Sequence, residues 1–146
     1  MINTKDINGR SYVYNFHFHL IWVTKYRKAI FTDDNLVNDM KNMLLTVAQE
    51  NDIQIEEQEV MNDHIHLLIS FKPKYSATQV VKKLKGGTAR MWFKEHPNTK
   101  DLLYGGHLWS NSYYMSTLGN MSQAVVEHYI KNQRTTKSTA GRPKMK

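Results

Sequence analysis

The sequence predicts an α+β domain in which helices cover an antiparallel sheet, and three observations lead to that prediction. The chain has 146 residues, about the length of one ordinary domain. Segments of alternating polarity, typical of strands, follow segments with helical periodicity in the order βαββαβα. The second and third strands are separated only by a short polar turn at 61–63. This order favours a ferredoxin-like, RRM-like arrangement with a further C-terminal helix.

The first predicted strand covers residues 12–23 and has one strongly apolar face. Side chains alternate along a strand, so the two faces differ in composition. The apolar face carries Tyr14, Phe16, Phe18, Leu20 and Trp22, and the other face carries Asn15, His17 and His19. After a basic turn at 25–28, Thr32, Asp33 and Asp34 supply an N-cap and first-turn acids for the first helix. Its apolar stripe consists of Leu36, Met40, Met43, Leu44 and Val47.

The remaining elements follow from the same periodicities and from turn residues. Strands are predicted at 53–60, 64–71 and about 108–115, and the last helix at about 122–133. Ser76 and Gln79 form a capping box for the second helix, which we expect Gly86 and Gly87 to break or bend. We therefore predict a single domain at 1–133. Residues 134–146 carry five positive charges and no acid, which predicts a flexible basic tail.

Composition restricts the partners and the metal chemistry. Lys and Arg number 20 against 13 Asp and Glu, for a formal charge of +7, which favours a polyanionic partner, although a solvated basic surface has the same composition. Cysteine is absent, so any metal ion must be held by imidazole, carboxylate, amide or water. No apolar run has the length of a membrane span, and the N-terminus lacks the apolar core of a signal peptide. We expect a cytoplasmic protein with no membrane partner.

Two histidine pairs have the spacing of a metal site on a strand. His64 and His66 share one face of the third strand, where two imidazoles can converge on one ion. His17 and His19 repeat that spacing on the first strand, so spacing alone does not choose between the pairs. The second pair is favoured because it directly follows a turn at which a ligand can enter. Half-buried histidines with a purely structural role remain the alternative.

Tyr129 and Gln133 lie four residues apart on the last predicted helix and therefore share one of its faces. A tyrosine can attack a phosphodiester when a nearby cation stabilises its phenolate, and an amide oxygen can bind that cation. The alternative is a helix that simply packs Val125, Val126, Tyr129 and Ile130 on the sheet.

Four ordered strings decide between these alternatives through a family resemblance. YNFHFHLIWVTKYRK, MNDHIHLLISF, LWSNSYYMSTLG and VVEHYIKNQ lie within residues 12–133. In this order and spacing the chain resembles the single-tyrosine transposases of bacterial insertion sequences, of the TnpA type and the insertion-sequence 200/605 family. They belong to the HUH class, named for a histidine, a bulky apolar residue and a histidine. Here the bulky residue is Ile65.

The resemblance implies roles for particular residues. His64 and His66 would bind a divalent ion, Mg or Mn, with Gln133 as the third protein ligand, and Tyr129 would be the nucleophile. The family acts as a homodimer on single-stranded DNA with hairpins and forms a 5′-phosphotyrosine intermediate. The tyrosine helix can complete the partner subunit's site, and Gly119 lies where such a helix needs a hinge. Family members usually have one histidine, at the position of His19, so His17 is an additional one.

Basic residues near aromatic ones are the candidates for DNA contacts, because single strands bind through phosphate contacts and base stacking. We expect these contacts from Lys25, Arg27, Lys28, Lys85 and Arg90, although each basic cluster alone is more often a solvated surface and becomes a candidate only beside the transposase-like site. For the aromatic residues Trp109, Tyr113 and Tyr114, packing is favoured over stacking. Two other functions fit the same pattern: a ferredoxin-like nucleic-acid-binding module without chemistry, and a related HUH nickase of replication or plasmid transfer.

Overall fold

The computed structural model describes residues 16–117 and 128–132, which form an antiparallel sheet covered by two helices. The elements are β1 (Phe16–Val23), α1 (Asp34–Glu50), β2 (Gln54–Val60), β3 (His64–Phe71), α2 (Ala77–Glu95) and β4 (Tyr114–Thr117). The strand order is β2-β3-β1-β4, and every neighbouring pair is antiparallel. Each helical connection therefore skips one strand, as in the ferredoxin-like fold, and that prediction is confirmed.

Parts of the predicted chain lie outside the described residues. These parts include the first residues of the predicted first strand, the basic tail at 134–146, Gly119, Gln133 and most of the last predicted helix. Residues 128–131 of that helix are described and are helical. Among the helices that the structure describes, none has the length and apolarity needed to cross a membrane.

Local side-chain bonds explain where the two helices begin. The carboxylate of Asp33 accepts a hydrogen bond from the backbone N–H of Leu36, so it caps α1. Ser76 accepts from the backbone N–H of Gln79, while the Gln79 side chain accepts from the backbone N–H of Ser76. Both bonds of the predicted capping box are thus present at α2.

Helix α2 is continuous through Gly86 and Gly87, so the prediction that these residues break the helix is wrong. The reason lies in how the two helices pack. A Cβ atom added at Gly87 would lie 2.8 Å from Cγ1 of Val47 on α1. Glycine therefore allows close approach of the helices at this point rather than a change of backbone direction.

Strand β4 begins at Tyr114, later than the predicted start near residue 108. The preceding segment is held at the end of β1 instead. The backbone N–H of Ser110 donates to the carbonyl of Val23 over 3.0 Å. Trp109 is buried and packs edge-on against Trp22, with ring centroids 5.5 Å apart. Trp109 is therefore packed in the protein, as the sequence analysis favoured. Its burial fixes residues 108–111 before the strand starts.

The two faces of the sheet differ in what covers them. The helix-covered face carries the core, in which the strand residues Leu20, Trp22, Ile65, Leu67 and Ile69 are fully buried. Each such aliphatic side chain contributes roughly 1.5–3 kcal/mol relative to an exposed one. The opposite face carries the four histidines of β1 and β3, which are only partly buried. The hydrophobic core thus leaves the histidine face available for chemistry.

Candidate active site

His64 and His66 lie on the sheet face opposite the helices and are half-buried. Nδ1 of His64 lies 2.9 Å from Oδ1 of Asp63, the residue immediately before it. A carboxylate that bonds one imidazole nitrogen fixes the ring orientation and leaves Nε2 for a metal ion. His64 therefore has the environment of a metal-binding histidine.

His66 contacts one member of the other histidine pair. Its Nε2 lies 3.4 Å from Nδ1 of His19, on the neighbouring strand. Burial, and secondarily the proximity of His19, lower the pKa of His66 below its ordinary value. Both effects favour the neutral imidazole, which is the form that binds a metal ion. The donor set of His64 and His66 thus fits a divalent ion.

His17 is held by a carboxylate and does not join the other histidines. Its Nδ1 lies 3.0 Å from Oε1 of Glu56. Glu56 lies at an irregularity of β2, where the pairing with β3 shifts between Ile55 and Glu57. The structure therefore separates the two members of the first pair: His17 contacts Glu56, and His19 contacts His66.

Tyr129 lies over the histidine face, near β4. Its ring centroid is 6.0 Å from that of Tyr114. Ile21 of β1 pairs with Tyr114 on one side and with His66 on the other, so the three residues form one row across the sheet. Two strand spacings separate the ends of this row, or about 10 Å between Cα atoms.

The hydroxyl of Tyr129 lies 3.3 Å from Oγ of Ser112, in the segment before β4. Burial raises the pKa of the Tyr129 phenol, and the bond with Ser112 partly opposes that shift. A raised pKa keeps the phenol protonated at neutral pH. The tyrosine therefore needs stabilisation of its phenolate before it can act as a nucleophile.

Arg27 connects the tyrosine segment to the turn before β3. Its Nε donates to Oδ2 of Asp63 over 3.2 Å, and its Nη1 donates to the carbonyl of Ile130 over 3.2 Å. The bond from His64 is the largest cause of a lowered pKa at the Asp63 carboxyl, and Arg27 also lowers it against the opposing effect of burial. Asp63 was not among the predicted site residues, although an acid directly before the first histidine was a visible signal.

The other predicted DNA-contacting residues differ in exposure. Lys28 and Arg90 are exposed, and the ammonium of Lys25 lies 5.4 Å from the ring centroid of Tyr26. Lys85 is instead bonded within the protein: its Nζ donates to the carbonyls of Ser110 and Ser112 over 2.6 and 3.1 Å. Burial, together with Lys25, lowers the pKa of Lys85 to about 8.

A second cluster of ionisable groups lies at the ends of the helices. Within the described residues, one group of three His, Asp or Glu side chains brings its ligand atoms within 4.8 Å of one another, and it consists of Asp39, Glu95 and His96. Nε2 of His96 lies 2.9 Å from Asp39 Oδ2, and its ring lies 4.2 Å from that of Trp92. These contacts explain the cluster as a hydrogen bond and a ring contact that pack α1 against the end of α2.

Comparisons with known proteins place the chain among transposases. Residues 12–133 match the family described as IS200-like transposase. The chain is 38% identical over 125 residues to the ISDra2 transposase TnpA of Deinococcus radiodurans, covering 86% of this chain and 89% of that one. It is 28% identical over 120 residues to the transposase for insertion sequence element IS200 of Salmonella typhimurium, covering 82% and 78%.

Solved structures give the same result for the fold. The crystal structure of a protein assigned as a transposase in Deinococcus radiodurans R1 superposes with a TM-score of 0.81 at 38% identity, covering 88% of this chain and 98% of that one. A REP-associated tyrosine transposase bound to a REP hairpin superposes with a TM-score of 0.52 at 10% identity, covering 83% and 66%. At that identity the second likeness shows the fold alone.

Proposed function

This chain belongs to the IS200-like transposase family, and we propose that it cleaves and rejoins single-stranded DNA through a covalent bond to Tyr129. The observation that carries this proposal is the row formed by His66, Ile21 and Tyr114, with the Tyr129 ring packed at its end. This arrangement puts the tyrosine over the same sheet face as His64. The proposed nucleophile and the two proposed metal-binding histidines thus share one surface.

The proposed reaction exchanges one phosphodiester for another. The Tyr129 oxygen loses its proton and attacks the scissile phosphorus, and the bond from phosphorus to the 3′-oxygen breaks. The products are a 5′-phosphotyrosine and a 3′-OH, which takes up a proton. A 3′-OH from another DNA end then attacks the phosphotyrosine, and Tyr129 recovers its proton. Because the phosphodiester energy is conserved, rejoining needs no nucleotide cofactor.

The residues that would hold a divalent ion, Mg or Mn, are His64 through Nε2, His66 and, from the family resemblance, Gln133. When bound, such an ion polarises the scissile phosphate and stabilises the negative charge on the reacting oxygen atoms. The protein supplies the rest of the site. Asp63 orients His64, and burial lowers the pKa of His66, which favours its neutral form. Ser112 accepts or donates a hydrogen bond at the Tyr129 hydroxyl, which holds the phenol until the substrate binds.

The DNA substrate is supported by the formal charge of +7 and by the match to the transposase family. A groove of about 500 Å³ between α2 and residues 107–113 is lined by Lys85, Trp109 and Tyr113, among others. A cation beside a half-buried aromatic ring suits a phosphate and a base. Lys28 and Arg90 are exposed and available for phosphates, while Lys25, Arg27 and Lys85 also make contacts within the protein.

The chemistry can be tested by incubating the protein with a labelled single-stranded hairpin oligonucleotide and Mn²⁺ or Mg²⁺. A denaturing gel then shows whether the protein and the DNA are covalently joined. We expect a protein-DNA adduct that is absent in Tyr129→Phe. Tyr75→Phe is the matched control, because Tyr75 lies beside Lys74 on the loop before α2 and is not a residue of the proposed site. Hairpin binding with no adduct in the wild type would instead identify a binding module without chemistry.

We further propose a homodimer, in which each tyrosine serves either the histidines of its own subunit or those of the partner. Mixing Tyr129→Phe with His64→Ala protein distinguishes the two arrangements. If each tyrosine serves the partner's histidines, the mixture regains one functional site and forms an adduct. If each tyrosine serves its own subunit, the mixture stays inactive while each homodimer still forms in sedimentation experiments.

A further inference from the structure

We propose that Arg27 is a positioning residue that fixes the tyrosine-bearing segment 128–131 against the histidine strand. The inference rests on the proposed function, since it assigns Arg27 a role in the same site. Its basis is a chain of three hydrogen bonds that runs from the carbonyl of Ile130 through Arg27 and Asp63 to His64. The two ends of this chain adjoin the proposed nucleophile and a proposed metal ligand.

The geometry uses the shape of the guanidinium group. Its Nε and Nη1 donate to two acceptors on different elements, the Asp63 carboxylate and the Ile130 carbonyl, each over 3.2 Å. A planar group with donors in fixed directions sets the relative position of two acceptors, whereas the flexible ammonium of a lysine does not. Arg27 therefore specifies the distance between the two elements as well as supplying charge.

The backbone at Arg27 is held in an unusual conformation that directs this side chain. Tyr26 and Arg27 have φ values of 58° and 53°, in the left-handed region that non-glycine residues seldom adopt. The backbone N–H of Arg27 donates to the backbone carbonyl of Thr24 over 2.9 Å, and the backbone N–H of Lys25 donates to the backbone carbonyl of Leu108 over 2.8 Å. Surrounding bonds thus determine the conformation of the turn, as expected where backbone strain accompanies function.

Asp63 is held in place because its backbone carbonyl and both of its carboxylate oxygens make hydrogen bonds. Its carbonyl accepts from the backbone N–H of Thr24 over 2.9 Å. Oδ1 lies 2.9 Å from Nδ1 of His64, and Oδ2 accepts from Arg27. A shift of the tyrosine segment therefore requires either a broken bond at Arg27 or a movement of the group that orients His64. We therefore expect the intact bonds to hold Tyr129 in a fixed position relative to His64.

The test replaces Arg27 with lysine, which keeps the positive charge but cannot reproduce both directed bonds. At saturating hairpin DNA we expect the rate of Tyr129 adduct formation to fall about 100-fold, the cost that a displacement of about 1 Å can have on a reacting group. The hairpin dissociation constant should remain that of the wild type, because the charge is kept. Lys72→Ala is the control: it removes an exposed ion pair with Asp52 and should leave the rate unchanged.

Amide hydrogen exchange provides a readout that does not depend on catalysis. In Arg27→Lys, the peptide containing 128–132 should exchange faster, while the peptide containing 65–69 of β3 stays protected. Asp63→Asn should in addition weaken Mn²⁺ binding about 10- to 100-fold, as for outer partners of metal-binding histidines. Arg27→Lys should leave Mn²⁺ binding unchanged, which separates the two roles.

The outcomes distinguish this inference from the proposed function. If wild-type protein forms the adduct and Arg27→Lys matches it in rate and in exchange, the positioning role is wrong and the transposition chemistry stands. If wild-type protein forms no adduct, the proposed function fails, while the exchange comparison still tests the bond between Arg27 and segment 128–131. A weaker hairpin affinity in Arg27→Lys at an unchanged rate would assign Arg27 to DNA binding alone and overturn the inference.

Discussion

The two histidine pairs have the same spacing and lie on the same face of adjacent strands, yet their partners differ. His64 is oriented by the carboxylate of Asp63, in a turn next to the tyrosine segment. His17 is paired with Glu56, at the other end of β1. Spacing therefore defines which residues share a face, whereas the neighbouring elements decide which of them form a site.

Removing one histidine from each pair should have the largest effect on activity. His64→Ala should reduce adduct formation by more than the roughly 10- to 100-fold typical of losing an outer partner of a metal ligand, because the ligand itself is removed. His17→Ala, matched in residue type and face, should retain adduct formation, because its partner Glu56 belongs to no part of the proposed site. Hairpin affinity should be retained in both variants, measured by gel shift.

The opposite result would reverse the assignment of the pairs. If His17→Ala abolished adduct formation and His64→Ala did not, the pair on β1 would be the functional one. His19→Gln is informative beside both variants because His19 contacts His66. A loss of Mn²⁺ affinity in that variant would mean that the site extends across both strands.

The same contrast between identical residues recurs at the adjacent glycines of α2. A Cβ at Gly86 would meet no atom within 4 Å, whereas a Cβ at Gly87 would lie 2.8 and 2.9 Å from the two Cγ atoms of Val47. Gly87→Ala should lower the free energy of unfolding by roughly 1–3 kcal/mol, as overpacking does. Gly86→Ala should raise it by about 0.5–1 kcal/mol, because alanine favours the helical backbone. Urea denaturation of both variants measures the difference.

A double variant isolates the contact at Gly87. Val47→Ala removes both Cγ atoms, so the combination with Gly87→Ala should cost less than the sum of the two single changes. Additive losses would contradict the proposed close contact between α1 and α2. If Gly86→Ala were the more destabilising of the two single changes, the assignment of the close helix contact to Gly87 would be wrong.

The fold and the site were predictable to different extents, for physical reasons. Alternation and capping patterns depend on neighbouring residues, so β3 at 64–71 and the capping box at Ser76 could be read from the sequence. Gly87 could not, because its role depends on Val47, 40 residues earlier in the chain. The contact between His19 and His66 likewise requires the pairing of β1 with β3. The link from Arg27 to Ile130 spans 103 residues and leaves no local pattern.

Helix α2 carries an exposed lysine, Lys82, and a half-buried lysine, Lys85. The smallest effect is expected from the difference between these two side chains in their response to DNA. Burial, and then Lys25, lower the pKa of Lys85 from 10.5 to about 8. A DNA phosphate near the ammonium would favour its charged form, so DNA binding above pH 8 should be accompanied by proton uptake. Calorimetry in buffers of different ionisation enthalpy measures that uptake. It should vanish in Lys85→Arg, which stays charged, and persist in Lys82→Arg.

The pH dependence of protein stability helps to distinguish a DNA contact of Lys85 from a purely internal role. Between about pH 8 and 10.5 the unfolded chain keeps a proton on Lys85 that the folded chain has lost, so this group makes the free energy of unfolding rise with pH. This contribution should be absent in Lys85→Arg whatever Lys85 contacts. If the rise is present but DNA binding takes up no proton, Lys85 only holds the carbonyls of Ser110 and Ser112, and the predicted DNA contact is wrong.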